Sequence, residues 1–285
     1  MGSFASIRKG DHADAWTAFW DEQSPDSRCL QGASPAVRQA LSNHWQAFAA
    51  KLPLAATVLD IGCGKGAAAR SLASARGDIR VVGIDTARVQ GSPHPQIEIW
   101  GETRAEELPR ADASLDAAIS QFGFEYSNVP IATKELARVL RPGARMSLVV
   151  HHSASVIVRR ERAHGEALDE LGSARAQRAF LARNIPCLVR IRDSFPDDQT
   201  VMFAANCLAS RSMGTDDQRR QIWSAVMDAL APDRTLSAAL EGSCVAPAAI
   251  DDWLEPLREQ FRLAQPELLL AAGEVLAWRI EGVRV

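Results

Sequence analysis

From Thr57 onward the chain alternates short, nearly continuous apolar runs with amphipathic ones. "TVLDIG" is an almost continuous apolar run, as expected of a strand buried on both faces of a parallel sheet. The alanine-rich "AAARSLASAR" that follows predicts a helix ending at Gly77. "DIRVVGID", "QIEIWGE" and "SLDAAISQF" read as the second, third and fourth strands. The connection "TARVQGSPHP" is too short and proline-broken for a full helix. "VPIATKELARVL" predicts an amphipathic helix with Ile131, Leu136, Val139 and Leu140 on one side. Pro142-Gly143 is expected to terminate it, and "ARMSLVVHH" supplies a fifth strand. Strands alternating with helices at this spacing imply a parallel sheet with right-handed crossovers, an α/β fold.

The flanks read differently. Residues 1–33 are polar with aromatic islands at Trp16, Phe19 and Trp20. Such a cluster either packs a terminal helix on the body or closes a cavity from that side. "SPAVRQALSNHWQAFAAKLP" predicts a helix with Ser34 as N-cap, Pro35 in the first turn and Pro53 as the stop. Residues 153–260 have no strand pattern, whereas "VIVRRERAHGEALDELGSARAQRAFLARN" and "DDQRRQIWSAVMDALA" look helical. In the latter, Ile222, Val226 and Leu230 recur every four residues. "FRLAQPELLL" and "EVLAWRIEGVRV", joined by "AAG", predict an antiparallel hairpin. The expected organisation is an N-terminal helical segment (1–53), a core (54–152), a helical insertion (153–255) and closing strands (256–285). The insertion is too long for a simple connection. It reads as a cap over the substrate side, with Met213, Trp223 and Met227 in its own core.

Composition narrows the function classes. Of 285 residues 47% are hydrophobic, enough for a full core, and the net charge of −3 carries no polycationic signature of nucleic-acid binding. No apolar run approaches the roughly 20 residues that span a bilayer. The first residues, "MGSFASIRKGDHADAW", lack the apolar segment of a signal peptide. The five cysteines Cys29, Cys63, Cys187, Cys207 and Cys244 never form a CxxC pair. Free thiols in a reducing, cytoplasmic setting and no metal site are expected. Nothing in the pattern fixes an oligomeric state.

"LDIGCGKGAAARSLA" carries the chemistry. Gly62, Gly64 and Gly66 fall at every second position between the first strand and its helix. Three readings compete. A P-loop needs glycine where Leu59 stands and Ser or Thr where Gly66 stands, so it fails. A nicotinamide fingerprint is formally met by Gly62, Gly64 and Ala67, but Asp60 precedes its first glycine. The third candidate ligand is S-adenosylmethionine (SAM), which has an ammonium and no pyrophosphate. A carboxylate at the strand end meets the ammonium, and glycines let the backbone approach without Cβ clashes. Asp85, 23 residues beyond Gly62, can accept from both ribose hydroxyls.

"VLDIGCGKG", "VVGID", "AEELP", "LDAAIS" and "ELARVLRPGARMSLVVHH" follow one another as in the class I SAM-dependent methyltransferases, which residues 54–152 resemble. The resemblance implies a Rossmann-like sheet of seven mostly parallel strands with one antiparallel strand near its edge, completed by "EVLAWRIEGVRV". It implies that Asp60, Gly62, Gly64 and Gly66 hold the methionine end and Asp85 the ribose. Where the family commonly has an aspartate for the adenine amino group, this chain has Arg104. The backbone of Ala105, or Glu106, is left to supply that contact. The segment "SQFGFEY" nominates Gln121 and Phe122 as further cofactor neighbours.

The acceptor is expected beyond the carboxyl ends of the strands. Glu125 and Tyr126 follow strand four, and His151 and His152 follow strand five. Side chains alternate along a strand, so the two histidines point to opposite faces. His151 is the favoured base, with His152 or Glu125 next. The leading function is methyl transfer to an O or N atom of a small molecule. Alternatives are a SAM-binding enzyme of different chemistry and a catalytically silent binding protein of methyltransferase type.

Overall fold

The computed structural model describes residues 12–22, 34–91 and 93–285. Cys29 lies outside them; the other four cysteines are free thiols. The chain divides into two compact units, Met1–Val158 with Gly242–Val285, and Arg159–Glu241.

The first unit is built on one sheet. β1 (Thr57–Ile61), β2 (Arg80–Ile84), β3 (Ile97–Trp100), β4 (Leu115–Gln121) and β5 (Leu140–Val150) are mutually parallel. The order across the sheet is β3-β2-β1-β4-β5-β8-β6, with β7 also on β8. β8 (Glu274–Arg284) runs antiparallel to β5. β6 (Phe261–Leu263) and β7 (Glu267–Ala271) both pair with the other edge of β8, one after the other. They share one strand position, so the sheet has the expected seven positions in eight strands. "FRLAQPELLL" splits because Pro266 has no N–H to give the ladder. Ala272 and Gly273, both at positive φ (50° and 83°), make the tight β7–β8 turn.

α1 (Ala13–Glu22) precedes α2 (Pro35–Ala49), which is capped by Ser34 accepting from the Val37 amide. α3 (Ala67–Ala75) follows the glycine turn, and α4 (Val129–Val139) precedes β5. Two corrections belong here. Ile131 is 49% exposed; the buried residues of α4 are Val129, Ala132, Thr133, Leu136, Ala137 and Val139, so Leu136 and Val139 face the core as expected and Ile131 lies off that face. Pro142-Gly143 does not separate helix from strand, because β5 already begins at Leu140. The pair falls in a bulge, since Leu115 pairs with Leu140 and Ala117 with Arg145.

Alternation along β5 sorts the core. Met146, Leu148 and Val150 join a cluster with Trp278, Ile280 and α11 (Ile250–Arg258). Val149 joins the opposite cluster with α2 and α3. Ser147, on that same face, bonds His44 of α2 (3.0 Å). Burial pushes the His44 imidazole down to about 4, so it sits there neutral.

The second unit is helical: the body of α5 (Val156–Leu171), then α6 (Ala174–Leu181), α7 (Ile185–Ser194), α8 (Gln199–Ser210), α9 (Asp216–Ala229) and α10 (Ala231–Ser243). Ser173, Asp198 and Thr215 cap three of these helices. Its core is formed by residues such as Leu171, Phe180, Leu188, Leu208 and Trp223, with Met227 packed against it. Met213 is not part of that core. It is 76% exposed, on the short connection before α9.

Candidate functional site

The carboxyl ends of β1, β2, β4 and β5 converge on one edge of the first unit. β1 ends in Asp60 and Ile61, and the chain then turns through Gly62, Gly64 and Gly66, all left-handed (φ 64°, 50° and 81°). Gly66 is the N-cap of α3. An L side chain would be strained at each of these positions.

Asp60 is 1% exposed, and neither carboxylate oxygen has a hydrogen-bond partner. Burial pushes it up to about 8; the Ala69 amide offsets this only in part, without completing a hydrogen bond, and nearby Asp85 raises it further. An unpaired buried carboxylate is costly unless a cation or donor meets it. Asp85 is engaged differently. Its Oδ2 accepts from the Gly64 amide (2.8 Å) and its Oδ1 from the Ala87 amide (2.9 Å). Burial raises its pKa as well. Each oxygen keeps a lone pair, so two hydroxyls can still be accepted. The acid thus pins the glycine turn to β2 and remains an acceptor.

A cleft of about 280 Å³ is lined by residues including Trp20, Asp60, Gly62, Lys65, Ala68 and Gln121. Gln121 is oriented by Trp45, whose indole N–H donates to its Oε1 (2.7 Å). Phe122 is 5% exposed and stacks on His151, ring centroids 4.3 Å apart. Ala105 is buried. Glu106 accepts from the Asn128 amide (2.6 Å) at the start of α4 and lies 3.6 Å from Arg104, so both of its oxygens have protein neighbours.

On the other side of Phe122 the 3₁₀ turn Phe124–Tyr126 carries Glu125, which is fully buried. Its Oε1 accepts from the His151 backbone amide (2.9 Å) and lies 2.8 Å from His151 Nδ1. Its Oε2 has no hydrogen-bond partner. Tyr126 meets the His151 ring edge to face at 6.0 Å. Three of the four acceptor-side candidates therefore come together. His152 goes to the opposite face, where it packs on Trp278 at 4.7 Å and accepts from the Ala154 amide. Burial lowers its pKa.

Two site neighbours, Gly123 and Ser120, escaped sequence reading; Trp20 belongs to the aromatic cluster read as packing a terminal helix or closing a cavity from that side. Gly123 approaches Gly62 backbone to backbone, and Trp20 covers Gly64. Ser120 links β1 to the turn after β4, donating to Ile61 O (2.7 Å) and accepting from the Phe124 amide (2.9 Å). Gly123 stood in plain view in "QFGFEY", but its partner is 61 residues away. No group of three or more His, Cys, Asp or Glu side chains among the described residues could hold a metal ion. Among the same residues no helix is long and apolar enough to cross a membrane.

Residues 59–148 match the family described as "Methyltransferase domain". The chain is 38% identical over 94 residues to the biotin biosynthesis bifunctional protein BioHC of Cellvibrio japonicus, covering 31% of this chain and 18% of that protein. It is 35% identical over 107 residues to the 2-phytyl-1,4-naphtoquinone methyltransferase of Nostoc sp., covering 34% and 47%. It is 33% identical over 93 residues to the malonyl-[acyl-carrier protein] O-methyltransferase of Dechloromonas aromatica, covering 32% and 35%. The chain spans less than half the length of each of these relatives. Among solved structures, a SAM-dependent methyltransferase from Aquifex aeolicus aligns at 12% identity over 88% of this chain and 94% of that one, with a TM-score of 0.46.

Proposed function

We propose that this chain, which is a class I SAM-dependent methyltransferase, transfers the methyl group to an O or N atom of a small molecule, in the cytoplasm. The observation that carries the cofactor half is Asp60: a fully buried carboxylate with both oxygens unpartnered, at the mouth of a glycine turn. The ammonium of SAM supplies the missing cation. Gly62 and Gly64 leave the backbone bare beside it, and Asp85 has lone pairs left for the ribose. SAM supplies an activated methyl on sulfonium, so the protein has to align the acceptor and exclude water. The buried rings of Phe122 and His151, with the half-buried Tyr126 beside them, suit water exclusion.

The acceptor half rests on the Glu125–His151 pair. Glu125 Oε1, which already accepts from the His151 amide, holds the imidazole by Nδ1. That fixes the tautomer with the proton on Nδ1 and leaves Nε2 to take a proton from a hydroxyl or amine. The ion pair formed on proton transfer stays inside a buried pair. The curated relatives are named for a naphtoquinone, for ubiquinone and menaquinone biosynthesis, and for a malonyl-acyl-carrier protein. They agree on methyl transfer and differ in substrate.

The test is transfer of labelled methyl from SAM to a panel of phenols, carboxylic acids and amines. Label in the extracted small-molecule fraction is expected with at least one class. Label appearing only in added protein or nucleic acid would overturn the small-molecule reading.

A further inference from the structure

α1 carries Trp16 and Trp20 one helical turn apart, on one face. The Trp20 indole lies against the glycine turn: a Cβ added to Gly64 would stand 2.2 Å from its Cζ2 and 2.5 Å from its Cη2. The same ring packs on Ala87 and Val89, just past Asp85, and is only 5% exposed. One turn earlier, Trp16 meets Tyr126 edge to face at 5.4 Å, and Tyr126 meets His151. A single short helix thus stands over the cofactor side and the acceptor side together.

Beneath it, Asp60, Asp85, Gln121 and His151 are all buried. The 280 Å³ of the cleft counts its open mouth; the enclosed room left is about 10 Å³, space for about one water molecule and far too little for a ligand of this size. Trp20 lines this cleft together with Asp60, so the indole occupies room that a ligand of Asp60 would need. Apart from its two tryptophans, the helix has few ties to the body. The Arg88–Asp21 ion pair joins side chains 66% and 61% exposed, and the Arg88 amide donates to Thr17 Oγ1 (3.0 Å). Ten residues are too few for a helix to persist without packing.

We propose that α1 is a removable plug, with Trp20 filling the cofactor cleft and Trp16 the acceptor side in the ligand-free protein, so that one displacement opens both. The inference rests on the SAM reading of the site. The observed dissociation constant is then the intrinsic one divided by the open fraction. Weakening the plug must tighten binding. If Trp20 were instead a permanent wall stacked on bound cofactor, removing it would loosen binding.

The test uses the full chain and S-adenosylhomocysteine, with stopped-flow association, calorimetry and indole fluorescence as readouts. Trp20→Ala should speed association at least fivefold and tighten binding. The wild-type protein should show an indole red shift on binding that Trp20→Ala lacks. Asp21→Lys, at an exposed site that leaves the core intact, should also speed association by opposing Arg88. Slower or unchanged association in both variants would overturn the plug. If no variant and no wild-type protein binds S-adenosylhomocysteine at millimolar concentration, the SAM reading falls and the plug with it.

Discussion

Gly62 and Gly123 touch backbone to backbone: a Cβ on Gly123 would stand 2.8 Å from Gly62 Cα and 2.8 Å from Ile61 O. The loops after β1 and β4 are therefore welded at the floor of the site by the lack of two side chains. Gly123→Ala should destabilise the protein by about 1–3 kcal/mol through overpacking. Urea denaturation measures it, and the glycine turn should lose ligand affinity in the same variant.

Asp60 sets a pH dependence with an unusual sign for a carboxylate. Its folded value, about 8, lies above the ordinary 3.8, so the folded state holds the proton more tightly. Stability of the ligand-free protein should therefore fall as pH rises from about 4 to about 8. Asp60→Asn should flatten that slope and stabilise the ligand-free protein at pH 8 by about 1–3 kcal/mol, the scale of an unsatisfied buried group. An ammonium favours the carboxylate, so S-adenosylhomocysteine binding should strengthen with rising pH up to about 8. Thermal melts and calorimetry across pH 5–9 check both slopes.

Asp85→Ala should weaken SAM binding tenfold or more, since charge-assisted bonds to the ribose contribute about 1.5–3 kcal/mol each. The variant also frees the Gly64 and Ala87 amides that Asp85 now holds. Its melting temperature should drop even without ligand. Unchanged affinity by calorimetry would remove Asp85 from the site.

His151→Ala should lower turnover about 10²–10⁴-fold, the range of general base catalysis, and leave S-adenosylhomocysteine affinity nearly unchanged. Glu125→Gln should fall between the two, because the amide still accepts from the His151 backbone but no longer stabilises the charged imidazole. His152→Ala, which loses only the contact with Trp278 and a turn bond, should keep wild-type turnover. Steady-state kinetics with a saturating acceptor compares them.

What could be read from sequence was what is local. The strand–glycine–helix run around Asp60 is spelled by consecutive residues, and the opposite orientation of His151 and His152 follows from the period of a strand. The short β3 connection without a helix was legible in its prolines. The exposed Ile131 and Met213 were not, because an apolar side chain states its transfer energy and not its neighbours. The pairing of β6 and β7 with one edge of β8 needed the whole sheet. Trp20 on Gly64 is a contact across 44 residues, between a helix whose aromatics suit a core equally well and a turn that any flat ring would fit.

The antiparallel strand has a consequence for how the chain is made. β5 takes its outer partner from Trp278–Val283, after the whole helical unit has been synthesised. At about 5–20 residues per second, the 133 residues from Val150 to Val283 take roughly 7–27 s to emerge. For that interval the N-terminal half presents a bare sheet edge to its surroundings, with Met146, Leu148 and Val150 beside it and its backbone donors unpaired. The helical unit, rich in local contacts, is free to fold in the meantime. The sheet is therefore closed last, by the C-terminal strands, and until then the β5 edge is the part of the nascent chain most open to pairing with another strand.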